Sequence, residues 1–196
     1  GSVRRLCLLR HLPTDWNREK RLQGRRDQPL SVQSQPTATI SLNPEQWQLL
    51  SSPLKRCLET ARLTFGADPQ PEPALIEMDW GEYEGRRLAD LRRETGENLA
   101  ANEARGLDFR PPGGESPRDV QKRLSDWLSF AAKSDRDMVA VTHKGVIRAF
   151  YALSTGWDMT ADAPDKPDWT QLHCFTLSEG GLPAIDRLNA PLESLQ

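Results

Sequence analysis

The sequence predicts an α/β fold in which helices are layered on a mostly parallel sheet. Two short runs, 6–9 and 138–141, consist of apolar residues alone, which is typical of strands that are buried on both faces. Two segments between them, 54–65 and 117–133, carry apolar residues at helical spacing. Strands that alternate with helices in this way indicate an α/β layered fold.

The first half of the chain is predicted to hold two strands and one helix. A strand over 3–9 is followed by a polar stretch, 12–45, which proline and glycine interrupt repeatedly, so we expect mostly loop there. A second strand is expected over 46–50. Ser52 and Pro53 then have the pattern of an N-cap and a first helical residue.

This helix is expected to end near Phe65, because Gly66 follows as a natural stop, and it places Arg56 in its first turn. The second half of the chain continues the alternation. We expect a short strand over 74–78, helices over 86–95, 97–105 and 117–133, a strand over 138–141, a helix over 145–153, and strands over 174–177 and 184–187 on either side of a turn.

Length and composition indicate one folded domain over residues 1–196, of which Gly1 and Ser2 resemble the remnant of an expression tag. The chain carries 26 Lys and Arg against 28 Asp and Glu, so we expect no nucleic acid as a partner. No apolar run approaches the ~20 residues of a membrane span, so we expect no membrane partner either. A homodimer is an assembly that the sequence leaves open.

The three cysteines, Cys7, Cys57 and Cys174, are far apart in the chain and form no C-x-x-C pair. Their spacing suggests neither a disulfide framework nor a zinc site. A reducing cytoplasm is therefore the expected compartment.

Candidate site residues lie at the expected carboxyl ends of strands, where open α/β sheets bind ligands. Arg10 and His11 follow the first strand, and Arg56 follows the second. Thr142 and His143 follow the strand over 138–141. Two arginines and two of the three histidines in the chain are thus predicted to meet at one edge of the sheet.

This set of side chains suits phosphoryl transfer. Two guanidinium groups can hold a phosphoryl group while an imidazole nitrogen attacks phosphorus, and their charge lowers the pKa of that imidazole and keeps it neutral. Glu77, in an acidic loop, is the first candidate for the acid that protonates the leaving group. Taken singly, each residue is explained more simply as a structural histidine, a surface arginine or a solvated acid.

The motifs that contain these residues, taken together, resemble those of the histidine phosphatase superfamily, which includes the cofactor-dependent phosphoglycerate mutases. Residues 10–17 resemble its R-H-G-x-T-x-x-N signature, 22–31 its L-Q-G-x-x-D-x-P-L-[ST] element and 52–61 its S-P-x-x-R-x-x-x-T-A element. Further matches are 77–85 with E-x-x-x-G-x-x-E-G, 114–116 with G-E-S, 142–145 with [ST]-H-x-G, and 146–148 with V-I-R. Several motifs in the family's order make a coincidence improbable.

The resemblance implies a three-layer sandwich and a phosphatase that needs neither metal nor cofactor and acts on a small-molecule phosphate ester. It implies that His11 is the nucleophile, that Glu77 is the proton donor, and that Arg10, Arg56 and His143 bind the phosphoryl group. Substrate contacts are expected from Asn17, Gln23, Gly24, Thr142 and Lys144. The segment 86–115 is expected to form a helical wall of the substrate pocket, with Arg86, Arg87, Arg92, Arg93 and Arg105 either facing a second anionic group or solvated.

Some residues depart from the family's pattern. Leu12 replaces a glycine beside the nucleophile, Pro13 stiffens the same turn, and Lys144 replaces a small residue after the second histidine. Met78 and Asp79 stand where the mutases have Arg and His, which favours a phosphatase similar to the α-ribazole and broad-specificity branches. A phosphoglycerate or phosphosugar mutase and a catalytically silent phosphate-binding module are the alternatives.

Overall fold

The computed structural model describes residues 3–196, so Gly1 and Ser2, which resemble a tag remnant, lie outside the described residues. The strands are β1 (Arg4–Arg10), β2 (Trp47–Ser51), β3 (Gln70–Pro71), β4 (Asp137–Thr142), β5 (Leu172–Leu177) and β6 (Pro183–Ala190). The α-helices are α1 (Asp15–Arg18), α2 (Lys55–Phe65), α3 (Leu88–Glu103), α4 (Pro117–Ala131) and α5 (Lys144–Thr155). Short 3₁₀ turns lie at Pro73–Leu75, Gly81–Tyr83, Gly106–Asp108 and Leu192–Leu195.

The strands form one mixed sheet in the order β3-β2-β4-β1-β5-β6. The strands β3, β2, β4 and β1 are parallel, whereas β5 runs antiparallel to both β1 and β6. The two apolar runs become the central pair, with Leu6 opposite Met138 and Leu9 opposite Val141. The expected α/β fold with a mostly parallel sheet is confirmed.

Side-chain alternation along the central strands divides the core into two layers. Leu6, Leu8 and Ala140 face one side of the sheet, where they pack with residues of α3, α4 and α5. Cys7 and Val139 face the other side, where α2 and the C-terminal 3₁₀ turn cover them. The sheet is therefore the middle layer of a three-layer sandwich, as expected.

Helix ends follow the sequence signals at α4 but not at the start of α2. Ser116 caps α4 by accepting a hydrogen bond from the backbone N–H of Asp119. The prediction that Ser52 caps α2 and that Pro53 opens it is wrong, because the helix begins at Lys55 with Leu54 at the N-cap. The hydroxyl of Ser52 lies 2.8 Å from Nε2 of His143 and also accepts a longer hydrogen bond, of 3.3 Å, from the Leu54 N–H.

Two further expectations concern the segments on either side of the acidic loop. The short strand expected over 74–78 is wrong: a 3₁₀ turn forms at Pro73–Leu75, with the Glu72 carboxylate accepting a hydrogen bond from the Ala74 N–H. The two helical pieces expected over 86–105 are confirmed as the two halves of α3, which bends at Gly96 (φ 42°, ψ −108°).

The cysteines differ from expectation. Cys7 of β1 and Cys174 of β5 lie directly opposite each other in the antiparallel pair and form a disulfide, whereas Cys57 is free and buried. The two cysteines are 167 residues apart in the sequence, so their spacing gives no sign of this pairing. Within residues 3–196, no helix is both long enough and apolar enough to cross a membrane.

Candidate active site

An open cleft of about 630 Å³ lies at the carboxyl ends of β1 and β4. Arg10 and His11 enter it from the end of β1, Arg56 from the first turn of α2, and Lys144 from the first turn of α5. Glu77, Asn17, Gln23 and Gly24 also line the cleft. Most of the expected site residues therefore meet in one place.

His11 is held as a neutral imidazole with one defined tautomer. It is 7% exposed, and its Nδ1 lies 2.7 Å from the carbonyl oxygen of Leu12. Because a carbonyl only accepts hydrogen bonds, Nδ1 carries the proton and Nε2 keeps its lone pair. Burial and the nearby charges of Arg56 and Arg10 lower the pKa of His11 to about 3. The free nitrogen is therefore a nucleophile at neutral pH.

The guanidinium groups of Arg10 and Arg56 supply positive charge beside His11. Arg56 is fully buried, and two of its nitrogens donate to the carbonyl oxygens of Gly24 and Arg26 at 2.7 and 2.6 Å. The Nε atoms of both Arg10 and Arg56 are buried without a hydrogen-bond partner. Unpartnered buried donors are costly, so this pair suits an anion that accepts from both.

The loop that orients Arg56 is tied down by an acidic residue. Gly24 has a φ of 53°, and its Cα faces the Glu84 carboxylate closely enough that a Cβ would collide with it. Glu84 also accepts hydrogen bonds from the backbone N–H groups of Arg25 and Trp80. The Gly24 carbonyl is thereby fixed in the position from which it accepts from Arg56.

Glu77 is the carboxyl group of the acidic loop that lines the cleft. Its Oε1 accepts a hydrogen bond from the Met78 N–H at 2.8 Å. Burial raises the pKa of Glu77, against the opposing effects of that hydrogen bond and of Arg56 and Arg10. A raised pKa extends upward the pH range in which the carboxyl group is protonated and able to donate to a leaving oxygen.

The neighbouring acids have structural contacts instead. Asp79 accepts a hydrogen bond from the Gly81 N–H within its own turn. Glu115, from the G-E-S motif, accepts from Arg123 and from the backbone of Asp79. None of Asp79, Glu82 and Glu84 lines the cleft, in contrast to Glu77.

The two residues at the end of β4 lie behind the cleft rather than on its surface. His143 is fully buried, with its ring centroid 5.3 Å from that of His11 and its Nε2 2.8 Å from the Ser52 hydroxyl. Burial and the charge of Arg56 place the pKa of His143 well below its ordinary value. The Thr142 hydroxyl donates to the Leu75 carbonyl. Neither residue lines the cleft, so a substrate contact from either one stays a prediction.

Two amide side chains line the cleft next to Arg10. The Asn17 Oδ1 accepts from the backbone N–H of Thr14, and the Gln23 Oε1 lies 2.7 Å from the Thr14 hydroxyl. Since the oxygens are used inside the protein, the amide NH₂ group of Asn17 is available to donate to a ligand. Both residues line the cleft, and a substrate contact from either one stays a prediction.

The departures at Leu12 and Pro13 do not enter the cleft. They line an adjoining cavity of about 160 Å³, which includes Thr60 and Trp169 and shares Arg10, His11 and Asn17 with the cleft. Leu12 is not among the residues with a positive φ, and its N–H donates to the Thr60 hydroxyl at 2.9 Å. The backbone beside His11 therefore accommodates a side chain.

Residues that the sequence did not single out form the rest of the cleft. An apolar wall consists of Leu22, Met78, Trp80, Leu88, Phe109 and Met159. Of the six arginines in 86–115, only Arg92 lines the cleft. Arg148 also lines the cleft. Its spacing of four residues from Lys144, which places both on one helix face, is the sequence signal that could have identified it.

Among residues 3–196, no group of three or more His, Cys, Asp or Glu could hold a metal ion.

A buried neutral histidine beside two unpartnered guanidinium donors, at the carboxyl edge of an α/β sheet, defines a class of enzyme that acts on phosphate esters. The model of the histidine phosphatase superfamily (branch 1) matches residues 6–191. The chain belongs to this superfamily and is a phosphoric monoester hydrolase.

Comparison with known proteins agrees with this assignment. The chain is 32% identical to a glucosyl-3-phosphoglycerate phosphatase of Mycolicibacterium vanbaalenii over 91% of this chain and 88% of the relative. It is 33% identical to a 2,3-bisphosphoglycerate-dependent phosphoglycerate mutase 2 of Gloeobacter violaceus over 74% and 72%. The α-ribazole phosphatase of Shigella flexneri has the same fold, with a TM-score of 0.76 over 95% of this chain and 96% of that one at 23% identity.

Proposed function

We propose that this protein hydrolyses the phosphomonoester of a small metabolite through a phosphohistidine on His11, without a metal ion. The observation that carries the proposal is the neutral His11, whose Nε2 is free beside the unpartnered Nε atoms of Arg10 and Arg56. In this role the two arginines supply the positive charge that a metal ion supplies in other phosphatases.

The reaction has two steps. In the first, the Nε2 lone pair attacks phosphorus, the bond from phosphorus to the ester oxygen breaks, and Glu77 gives its proton to the departing oxygen. In the second, the Glu77 carboxylate takes a proton from water, the water oxygen attacks phosphorus, and the bond from phosphorus to Nε2 breaks. Inorganic phosphate leaves, and His11 and Glu77 return to their starting forms.

Several features support the remaining assignments. Asn17, Gln23, Gly24 and Lys144 line the cleft and are proposed to contact substrate. Thr142 and His143 are proposed to complete the phosphoryl site on the buried side of His11. The His143 ring contacts the His11 ring edge-on, with centroids 5.3 Å apart. Residues 1–196 are proposed to act as one domain whose segment 86–115 forms the helical wall of the substrate pocket, because Leu88, Arg92, Glu103, Gly106 and Phe109 line the cleft.

A phosphatase is favoured over a mutase by the residues after Glu77. Met78 is 5% exposed and contributes an apolar surface to the cleft. The Asp79 carboxylate accepts a hydrogen bond from the Gly81 N–H. No cation at these two positions is available to hold a second phosphoryl group. A mutase remains the alternative that the relative from Gloeobacter violaceus represents, and the silent module is the third candidate.

Compartment and assembly stay predictions. A cytoplasmic location was expected, but disulfides persist mainly in oxidising compartments, so the pairing of Cys7 with Cys174 weighs against it. A homodimer is proposed as the assembly to test first, by sedimentation of the purified chain. The substrate is proposed to be a small molecule, with no nucleic acid as a partner.

The experiment that tests the function measures inorganic phosphate released from an aryl phosphate and from a panel of metabolite phosphates, in excess chelator. We expect turnover by the wild-type protein and loss of turnover in His11→Ala. Acid-quenched wild-type protein is expected to carry labelled phosphate on histidine. Transfer of label between substrates without release of phosphate would support the mutase, and tight binding without a phosphoenzyme would support the silent module.

A further inference from the structure

Two cations on α5 line the cleft without a carboxylate partner. Lys144 and Arg148 are four residues apart and lie on one face of the helix, and both line the cleft. Neither side chain makes a hydrogen bond or an ion pair with any of residues 3–196. In contrast, Arg92, which lines the same cleft, is paired with Glu103.

Aromatic rings hold these cations without neutralising them. The Nζ of Lys144 lies 5.5 Å from the centroid of the Trp169 ring, and the guanidinium carbon of Arg148 lies 5.0 Å from that of Trp157. Stacking on an aromatic face fixes the position of a cation and removes part of its hydration shell. Both positive charges therefore stay available to a ligand in the cleft.

The charges are also uncompensated. Burial lowers the pKa of Arg148, with no carboxylate opposing the effect. Partial desolvation, Arg10 and Arg148 lower the pKa of Lys144, and Glu77 alone opposes them. Positive groups that are partly removed from water and repel each other gain more from an incoming anion than exposed cations do.

The position of Lys144 connects this pair to the phosphoryl site. Lys144 is close enough to Arg10 for the charge of one to affect the other, and Arg148 lies about 6 Å farther along the helix axis. We propose that Lys144 and Arg148 bind a second anionic group of the substrate, so that the preferred substrate is a phosphate ester that also carries a carboxylate or a second phosphoryl group. This inference rests on the proposed function of the cleft.

The matched substrates for a test differ only in the second group. The pair 3-phosphoglycerate and glycerol 3-phosphate exchanges a carboxylate for a hydroxymethyl group, and the pair propane-1,3-diyl bisphosphate and 3-hydroxypropyl phosphate exchanges a phosphoryl group for a hydroxyl. We expect kcat/KM to favour the member with the second anionic group in at least one pair by about tenfold or more, since a charge-assisted contact of this kind has that magnitude. The pair with the larger ratio identifies the second group.

The variants remove charge while they keep an unbranched side chain. Lys144→Met and Arg148→Met are each expected to lower that ratio at least about threefold, mainly through KM of the substrate with the second anionic group, and Arg148→Lys is expected to restore part of it. Arg93→Met is the control, because Arg93 lies outside the cleft on α3 and is paired with Asp90. Thermal unfolding of each variant checks that the fold is intact.

The outcomes separate this inference from the proposed function. Wild-type protein that hydrolyses these esters with dependence on His11 but shows no preference in either pair overturns the second-anion site alone. An equal loss for both members of a pair in Lys144→Met and Arg148→Met places these residues in the phosphoryl site and also overturns it. Absence of turnover on every ester overturns the proposed function.

Discussion

The imidazole of His11 and the carbonyl group of its neighbour Leu12 are joined by a hydrogen bond of 2.7 Å. The contact is local, but the backbone of Leu12 is itself fixed, because its N–H donates to the buried hydroxyl of Thr60. The orientation of the His11 imidazole is therefore set through the main chain and α2. This relationship explains why a side chain at position 12 is compatible with the site.

Replacement of His11 tests the nucleophile. His11→Gln is expected to lower phosphate release by at least about a thousandfold, because the attacking lone pair is lost. Mass spectrometry of acid-quenched protein is expected to show a phosphorylated species in wild type and none in the variant. Retention of full turnover in His11→Gln contradicts the phosphohistidine mechanism.

Replacement of Glu77 tests the proton donor. Glu77→Gln is expected to lower kcat for an alkyl phosphate by about 10² to 10⁴, because a basic alkoxide needs a proton as it leaves. The loss is expected to be much smaller for 4-nitrophenyl phosphate, whose leaving group is a weak base. Glu82→Gln is the control, since Glu82 is in the same loop but does not line the cleft, and an equal loss in both variants contradicts the assignment.

The Gly24 turn is expected to control substrate binding through Arg56. Gly24→Ala places a Cβ against the Glu84 carboxylate and shifts the carbonyl that holds Arg56, so KM is expected to rise. Gly66→Ala is the matched control: Gly66 has a similar φ of 61°, with nothing near its Cα. Both substitutions are expected to cost about 1 kcal/mol of stability, but only Gly24→Ala is expected to raise KM.

Stability is expected to fall in acid because of the buried histidines. The pKa of His11 is about 3 in the folded chain and ~6.5 when it is exposed, so the unfolded chain binds more protons between these values. Stability is full above about pH 6.5 and is lost as the pH falls toward 3, by at most about 1.4 kcal/mol per pH unit for each such histidine. Urea unfolding at several pH values is expected to show a shallower loss for His11→Gln, and equal slopes contradict the expectation.

The activity at high pH reports on Glu77. Because burial raises its pKa, the acid form persists above the ordinary range for a glutamate and disappears as the pH rises through that value. For an alkyl phosphate, kcat is expected to fall on the alkaline side. The pH dependence of kcat for Glu77→Gln is expected to lack this alkaline fall. If Glu77→Gln shows the same pH dependence as wild type, the alkaline fall is due to another titrating group.

The sequence was sufficient for the features that depend on pattern. The apolar runs at 6–9 and 138–141 predicted the central strand pair, and their carboxyl ends predicted where Arg10 and His11 would lie. Ordered motifs then predicted that residues as distant as Gly24, Arg56 and Glu77 share one cleft. The first two inferences use periodicity and strand order, whereas the third rests on the resemblance of the ordered motifs to those of the superfamily.

Features that depend on contacts between distant segments could not be read in this way. Ser52 has the pattern of an N-cap, but its hydroxyl is bonded to His143, 91 residues away, and a tertiary partner outweighs a local signal. The sequence does not distinguish Glu77 from Asp79, Glu82 and Glu84 as the proton donor. The fold does, because Glu77 is the one of these four acidic residues that lines the cleft. The pairing of Cys7 with Cys174 follows from strand register, which spacing does not reveal.

The bond between Cys7 and Cys174 closes a covalent ring that includes the long loop around Val32, a residue whose side chain is 99% exposed. A protease that cuts one peptide bond inside this ring leaves a single molecule, because the two pieces remain joined through sulfur. The pieces separate only when a reductant is added. Nicked protein therefore keeps β1, which leads to His11, attached to its neighbour β5.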